Sequence, residues 1–134
     1  MTTIQARTLQ ATNRAESLRS AGIPKPVVWT LQILAAALFL FAGTSKLVGV
    51  PMMVQMFDAI GIGQWFRYVT GAIEVVGAVL LLVPSLALFG ALALAATMVG
   101  AILTHLFVIG GNPAVPIVLL AATTTIAWAR RSDR

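Results

Sequence analysis

The chain has no cysteine, a single histidine and only four acidic residues among its 134. Each shortage closes off a class of chemistry. Without cysteine there are no disulfide staples, no thiol–disulfide exchange, no thiolate zinc site and no iron–sulfur ligation. A lone His105 cannot supply both axial imidazoles of a haem within one subunit. No metal set and no intrinsic cofactor are therefore expected. Charge of either sign is scarce: 10% of residues are charged and 59% are hydrophobic, against about a quarter and roughly 45–50% in a soluble domain. Mean hydropathy is +0.95. Such a composition suits lipid better than a water-soluble core, and the length suits one domain.

The net charge of +5 matters less than where it lies. Arg7, Arg14, Arg19 and Lys25 precede the first apolar run, and Arg130, Arg131 and Arg134 follow the last. These residues bracket hydrophobic stretches and form no basic stripe, so nucleic acid is not an expected partner. Membrane lipid is, with anionic headgroups drawn to the tails.

Four apolar stretches, at about 27–46, 66–83, 86–109 and 114–129, are the expected spans. Trp29 and Trp128 sit where aromatic belt residues belong, and Gln32 is close enough to the interface to be tolerated. Gly49, Val50 and Pro51 stop the first helix. Residues 1–26 read as a mobile tail, or one with a short surface helix that Pro24 and Pro26 would end, and the long run after them as an uncleaved first span. Between the first two spans, Met52, Met53, Met56, Phe57 and Ile60 recur at helical spacing, which predicts a short interface-lying or re-entrant helix; an ordinary loop is the alternative. The methionines read as membrane-facing packing in preference to a copper site. Small residues punctuate the third span, from Gly90 to Thr104, and suit close helix packing. The fold class predicted is all-α: a four-helix transmembrane bundle (27–129) with a short interfacial helix between helices 1 and 2, and tails at 1–26 and 130–134. The charged tails place both termini in the cytoplasm, as a multi-pass protein of the cell membrane, the inner one in a cell with two.

The stretch Phe66–Pro84 is the one on which function turns, because Glu74 lies inside it. A charged side chain at mid-membrane costs roughly 2.5–3.5 kcal/mol on insertion scales. Glu74 therefore needs a partner or a purpose. Helix rise places it about 10 Å from the outer surface, with Lys46 and His105 roughly 5–8 Å deep on other helices. Lys46 can pair with Glu74, His105 can donate to Glu74 or accept from Lys46, and Thr104, Thr97 or Thr70 can complete a network. Equally, Lys46 can snorkel outward while Glu74 acts as a structural clamp. Arg67 and Asp58 read as interface charges that could pair with each other.

Three motifs carry a family likeness. L-F-L-F-A-G-T-S-K-L (38–47), with its G-x-x-K element, T-G-A-I-E-V-V-G-A (70–78), with G-x-x-E-x-x-G, and G-A-I-L-T-H (100–105) occur in an order and spacing that resemble the DoxX and DoxX-like family of small membrane proteins. The likeness runs over roughly residues 30–128. It implies a four-helix transmembrane bundle whose polar positions are Lys46, Glu74 and His105. Some members are subunits of thiosulfate:quinone oxidoreductases, and others accompany oxidoreductases or oxidative stress.

Three functions compete on these grounds. The first is an accessory subunit of a quinone-linked membrane oxidoreductase, with a bound quinone in the outer leaflet whose carbonyl oxygens are hydrogen-bonded by His105 and a protonated Glu74 while Lys46 tunes Glu74. The second is a non-enzymatic structural or assembly subunit of a larger membrane complex, alone or as an oligomer. A small-solute transporter ranks third, since four spans without a repeat leave little room for alternating access. No self-contained catalytic motif is present.

Overall fold

A computed structural model describes residues 2–20 and 22–131, and the side chains within them except those of 16–20. Arg134 and the rest of the extreme C-terminal tail lie outside the described residues. All regular structure described is helical: α1 (Thr3–Ser20), α2 (Lys25–Val48), α3 (Pro51–Ile60), α4 (Trp65–Leu81), α5 (Ala87–Thr104) and α6 (Ala114–Arg130). A π-helical turn, His105–Ile109, continues α5.

Proline and glycine punctuate these helices as their backbones require. Pro26 and Pro51 sit in first turns, where a missing N–H costs nothing. Gly49 (φ 76°) and Gly61 (φ 86°) close α2 and α3 in the left-handed conformation that side chains disfavour. The Asn112 side chain accepts the Ala114 N–H at 3.0 Å and so starts α6. The predicted interfacial segment is thus a true helix, α3.

The N-terminal segment takes the surface-helix alternative, at greater length than expected. It is an 18-residue helix, begun by a reciprocal capping box. The Thr2 hydroxyl accepts the Gln5 N–H at 3.3 Å, and the Gln5 side chain accepts the Thr2 N–H at 3.0 Å. Its Ala, Arg, Gln, Leu and Glu residues favour helix without any buried face, and residues 2–15 are all exposed.

Helices α2, α4, α5 and α6 pack in a ring, each against the next and α6 back against α2. Their shared core is built from small and medium residues: Ala35, Ala36, Phe39, Ala78, Leu81, Ala91, Leu94, Met98 and Ile126 among them. The outside is as apolar as the inside. Phe41 (76% exposed), Leu34, Val76, Leu92, Phe107 and Val118 all face outward. A continuous apolar exterior of this kind marks a surface that meets lipid. Two helical stretches, Lys25–Val48 and Ala87–Ile109, are long and apolar enough to cross a membrane; α4 and α6 are shorter, at 17 residues each.

Two polar side chains sit deeper in the bundle than their neighbours in sequence suggest. Gln32 is fully buried, 0% exposed. Arg130 does not belong to a free tail: it is 6% exposed and ends α6 inside the bundle.

Candidate functional site

The site begins with two glycines. Gly43 on α2 and Gly71 on α4 face each other so closely that a Cβ on either would lie 2.8–2.9 Å from the other's carbonyl oxygen. Neither backbone can give way. The charged residue three positions after each glycine packs over the opposite one. A Cβ on Gly71 would meet the Lys46 Cβ at 3.0 Å, and one on Gly43 the Glu74 Cβ at 3.1 Å. The G-x-x-K and G-x-x-E elements are therefore one reciprocal device, in which each glycine clears space for the charge of its neighbour. It brings Lys46 Nζ to 3.1 Å from Glu74 Oε2, with the side chains 13% and 2% exposed. Lys46 does not snorkel away.

This pair forms part of the wall of a partly open cavity of about 860 Å³ lined by α2, α3, α4, α5, the π turn and the start of α6. That volume suits a ring-sized small molecule. Most of the lining is apolar: Phe39, Met53, Met56, Phe57, Phe66, Ile73, Met98 and Leu119. His105 and the sequence-nominated Thr70, Thr97 and Thr104 line it as well. Lys46, Glu74 and His105, chosen from three different stretches of sequence, thus share one cavity.

Their hydrogen bonds differ from the expected network. The hydroxyls of Thr70, Thr97 and Thr104 each donate to the carbonyl four residues earlier, at 2.8–2.9 Å, so their protons serve their own helices. His105 Nδ1 lies 2.8 Å from the Ala101 carbonyl. A carbonyl only accepts, so Nδ1 donates there, and in a neutral imidazole Nε2 is then the acceptor. Lys46 gives one N–H to Glu74 and has two more. The site can therefore donate through Lys46 and accept through His105.

Helix α3 covers the cavity and explains residues that the sequence reading placed elsewhere. Met53 and Met56 point into the cavity, while Met52 is exposed, so the methionine group splits between ligand wall and exterior. Arg67 is 5% exposed and caps α2: its Nη1 donates to the Lys46 carbonyl, where a cation also suits the helix dipole. Asp58 and Arg67 do not pair directly. Gln64 stands between them, accepting from Arg67 Nε at 2.6 Å and donating to Asp58 Oδ1 at 2.7 Å and to the Val54 carbonyl at 3.0 Å. One amide thus ties α3 to α4, and through Arg67 to the helix end that carries Lys46. The sequence signal for it was only a polar residue beside a glycine turn.

A second buried polar set lies at the opposite end of the bundle. Gln32 donates to the Leu81 carbonyl and accepts from Arg130 Nε at 2.8 Å, and the guanidinium carbon lies 5.2 Å from the centre of the Trp29 ring. This joins α2, the end of α4 and the end of α6.

Comparison with known proteins adds a lineage. A protein of Bacillus subtilis (strain 168) named "Putative oxidoreductase CatD" is 32% identical over 74 residues, which is 55% of this chain and 55% of that protein. The chain thus spans about half the length of the curated relative it matches. No solved structure matches. The model of the DoxX-like family matches residues 30–128, which include all three polar positions of the cavity. The chain belongs to the DoxX-like family.

Proposed function

We propose that this protein is an accessory subunit of a quinone-linked membrane oxidoreductase, and that its cavity holds the quinone head. The observation that carries the reading is the cavity itself: about 860 Å³ of mostly apolar wall with Lys46, Glu74 and His105 on it. Polar groups that converge on an otherwise apolar pocket are the mark of a ligand site. Lys46 suits a quinone carbonyl, and neutral His105 Nε2 suits the hydroxyl of the reduced form. Electrons would come from the partner enzyme. The name of the Bacillus subtilis relative agrees with an oxidoreductase setting.

In this reading α2, α4, α5 with its π turn, and α6 all cross the cell membrane. The shorter α4 and α6, at about 26 Å each, are accommodated by local thinning of the bilayer. The basic residues near Lys25 and Arg130 then lie on the cytoplasmic side, and α3 covers the cavity from the outer side.

The test is direct. Purified protein is extracted and its quinone quantified alongside Glu74→Gln and His105→Ala variants. Quinone is expected in the native protein and reduced in both variants; equal content and equal partner activity would overturn the proposal.

A second reading, a purely structural subunit, draws on the tight Gly43–Gly71 crossing and the buried ion pair, both of which would also specify a fold. It expects a stable complex with a larger partner and no lipophile in the extract.

A further inference from the structure

The cavity does not end at its polar wall. On the outer surface between α4 and α5 runs a shallow groove of about 320 Å³, lined by Ala72, Ile73, Val76, Gly77, Leu80 and Ala93. Ile73 and Ala93 also line the cavity, so the two spaces lie side by side there. The shape follows from how the two helices cross. At Gly77 and Gly90 they touch: a Cβ on Gly90 would lie 2.8 Å from the Gly77 carbonyl. Further along, Val69 and Ile73 of α4 and Ala96 and Gly100 of α5 line the cavity, with the small residues on the α5 side. The groove continues along α4 toward Leu80. From Ala72 to Leu80 is about 12 Å of helix. Its lining contains no polar side chain.

We infer that the ligand is a chain-bearing lipophile whose ring occupies the cavity and whose hydrocarbon chain leaves between α4 and α5 along the Ala72–Leu80 groove. This rests on the quinone reading of the cavity and narrows it to chain-bearing membrane quinones, as opposed to small soluble ones. The residues common to both linings, Ile73 and Ala93, are apolar, as the path of a chain attached to a polar ring requires. Because lipid tails are as apolar as the groove, the chain gains little by lying there. The groove matters as an exit: a ligand with a chain fits only while that path is open.

Two probes separate the possibilities: dimethoxy-methyl-benzoquinone without a chain, and the same ring with a decyl chain ending in a diazirine. Both are offered to the protein in nanodiscs, and to Ala72→Trp and Val76→Trp variants. Both substitutions lie on exposed positions of the groove, outside the cavity wall. After illumination of the native protein the label is expected on peptides covering Val76 and Leu80, and excess chainless ring should displace it. The tryptophans should weaken binding of the chain-bearing probe by about tenfold or more and leave the bare ring within about twofold. Label scattered evenly over the lipid-facing helices, or equal effects of tryptophan on both probes, overturns the inference while leaving the quinone reading intact. Failure of either ring to bind the native protein overturns both. Should a tryptophan variant not fold, the label map on the native chain decides alone.

Discussion

At the end of the bundle where α2 begins and α6 finishes, the Gln32 amide uses both of its ends on protein, one on the Leu81 carbonyl and one on Arg130. At the other end, Lys46 and Glu74 also meet within the bundle, but they do so on the wall of a cavity. Both sets are buried, both join α2 to α4, and both hold a cation. They differ in what is left over. The Gln32 side chain is fully buried and is not among the residues that line the cavity. The Lys46 set keeps N–H groups to spare, and His105 Nε2 beside it is an open acceptor. A polar group whose bonds all return to protein specifies a fold; one with capacity facing an empty space can specify a ligand.

The largest effect should come from splitting the ion pair. Glu74→Leu leaves the Lys46 ammonium without its carboxylate in an apolar setting, and losing one partner of a buried pair costs about 3–5 kcal/mol. Thermal unfolding in detergent should show the loss. Adding Lys46→Met to the same chain removes the orphaned charge, and stability should return most of the way, since apolar replacement of a whole buried pair is often neutral. Quinone content should not return with it. A double variant that regains both stability and quinone would make the pair a clamp, like Gln32, and erase the contrast between the two ends.

Much of this architecture was legible in the sequence, for definite physical reasons. Apolar run length and Gly/Pro punctuation located α2, α4, α5, α6 and the short α3, because those signals are local. The depth of Glu74, Lys46 and His105 could be counted in residues from helix ends, and the three do line one space. What escaped was either local and overlooked or dependent on tertiary contact. The capping box of Thr2 and Gln5 was written plainly in the chain. By contrast, the burial of Arg130, the bridging role of Gln64 and the inward turn of Met53 depend on which neighbour each helix meets, and one chain's periodicity does not reveal that. The three threonines illustrate the same limit. Their place on the cavity wall followed from spacing, while their hydrogen bonds went to their own helices.

A middle-sized effect probes the closed end. Gln32→Leu removes the donor to the Leu81 carbonyl and the acceptor for Arg130 Nε. Leaving buried partners without their bonds costs about 1–3 kcal/mol. Unfolding should therefore fall to a lower temperature, yet the quinone recovered per folded protein should be unchanged, because Gln32 lies away from the cavity wall. A variant that stays folded but loses its quinone would show that the two ends are coupled.

The smallest effect on stability, and the sharpest division between the two ends, is expected at His105. Among the described residues its ring bonds only to the Ala101 carbonyl, and that oxygen also accepts the His105 backbone N–H, so His105→Ala strands no buried group there. Alanine is the better helix former as well. The net change should stay within about 1 kcal/mol, the scale of one ordinary hydrogen bond. If Nε2 serves a ligand, the variant should melt close to the native temperature when both are stripped of lipophile, and the native protein should gain more than the variant when quinone is added back, because only a ligand bound to the folded state raises its stability. Equal gains in both proteins would move His105 out of the site and into the class of Gln32, a side chain that holds the bundle together and recognises nothing.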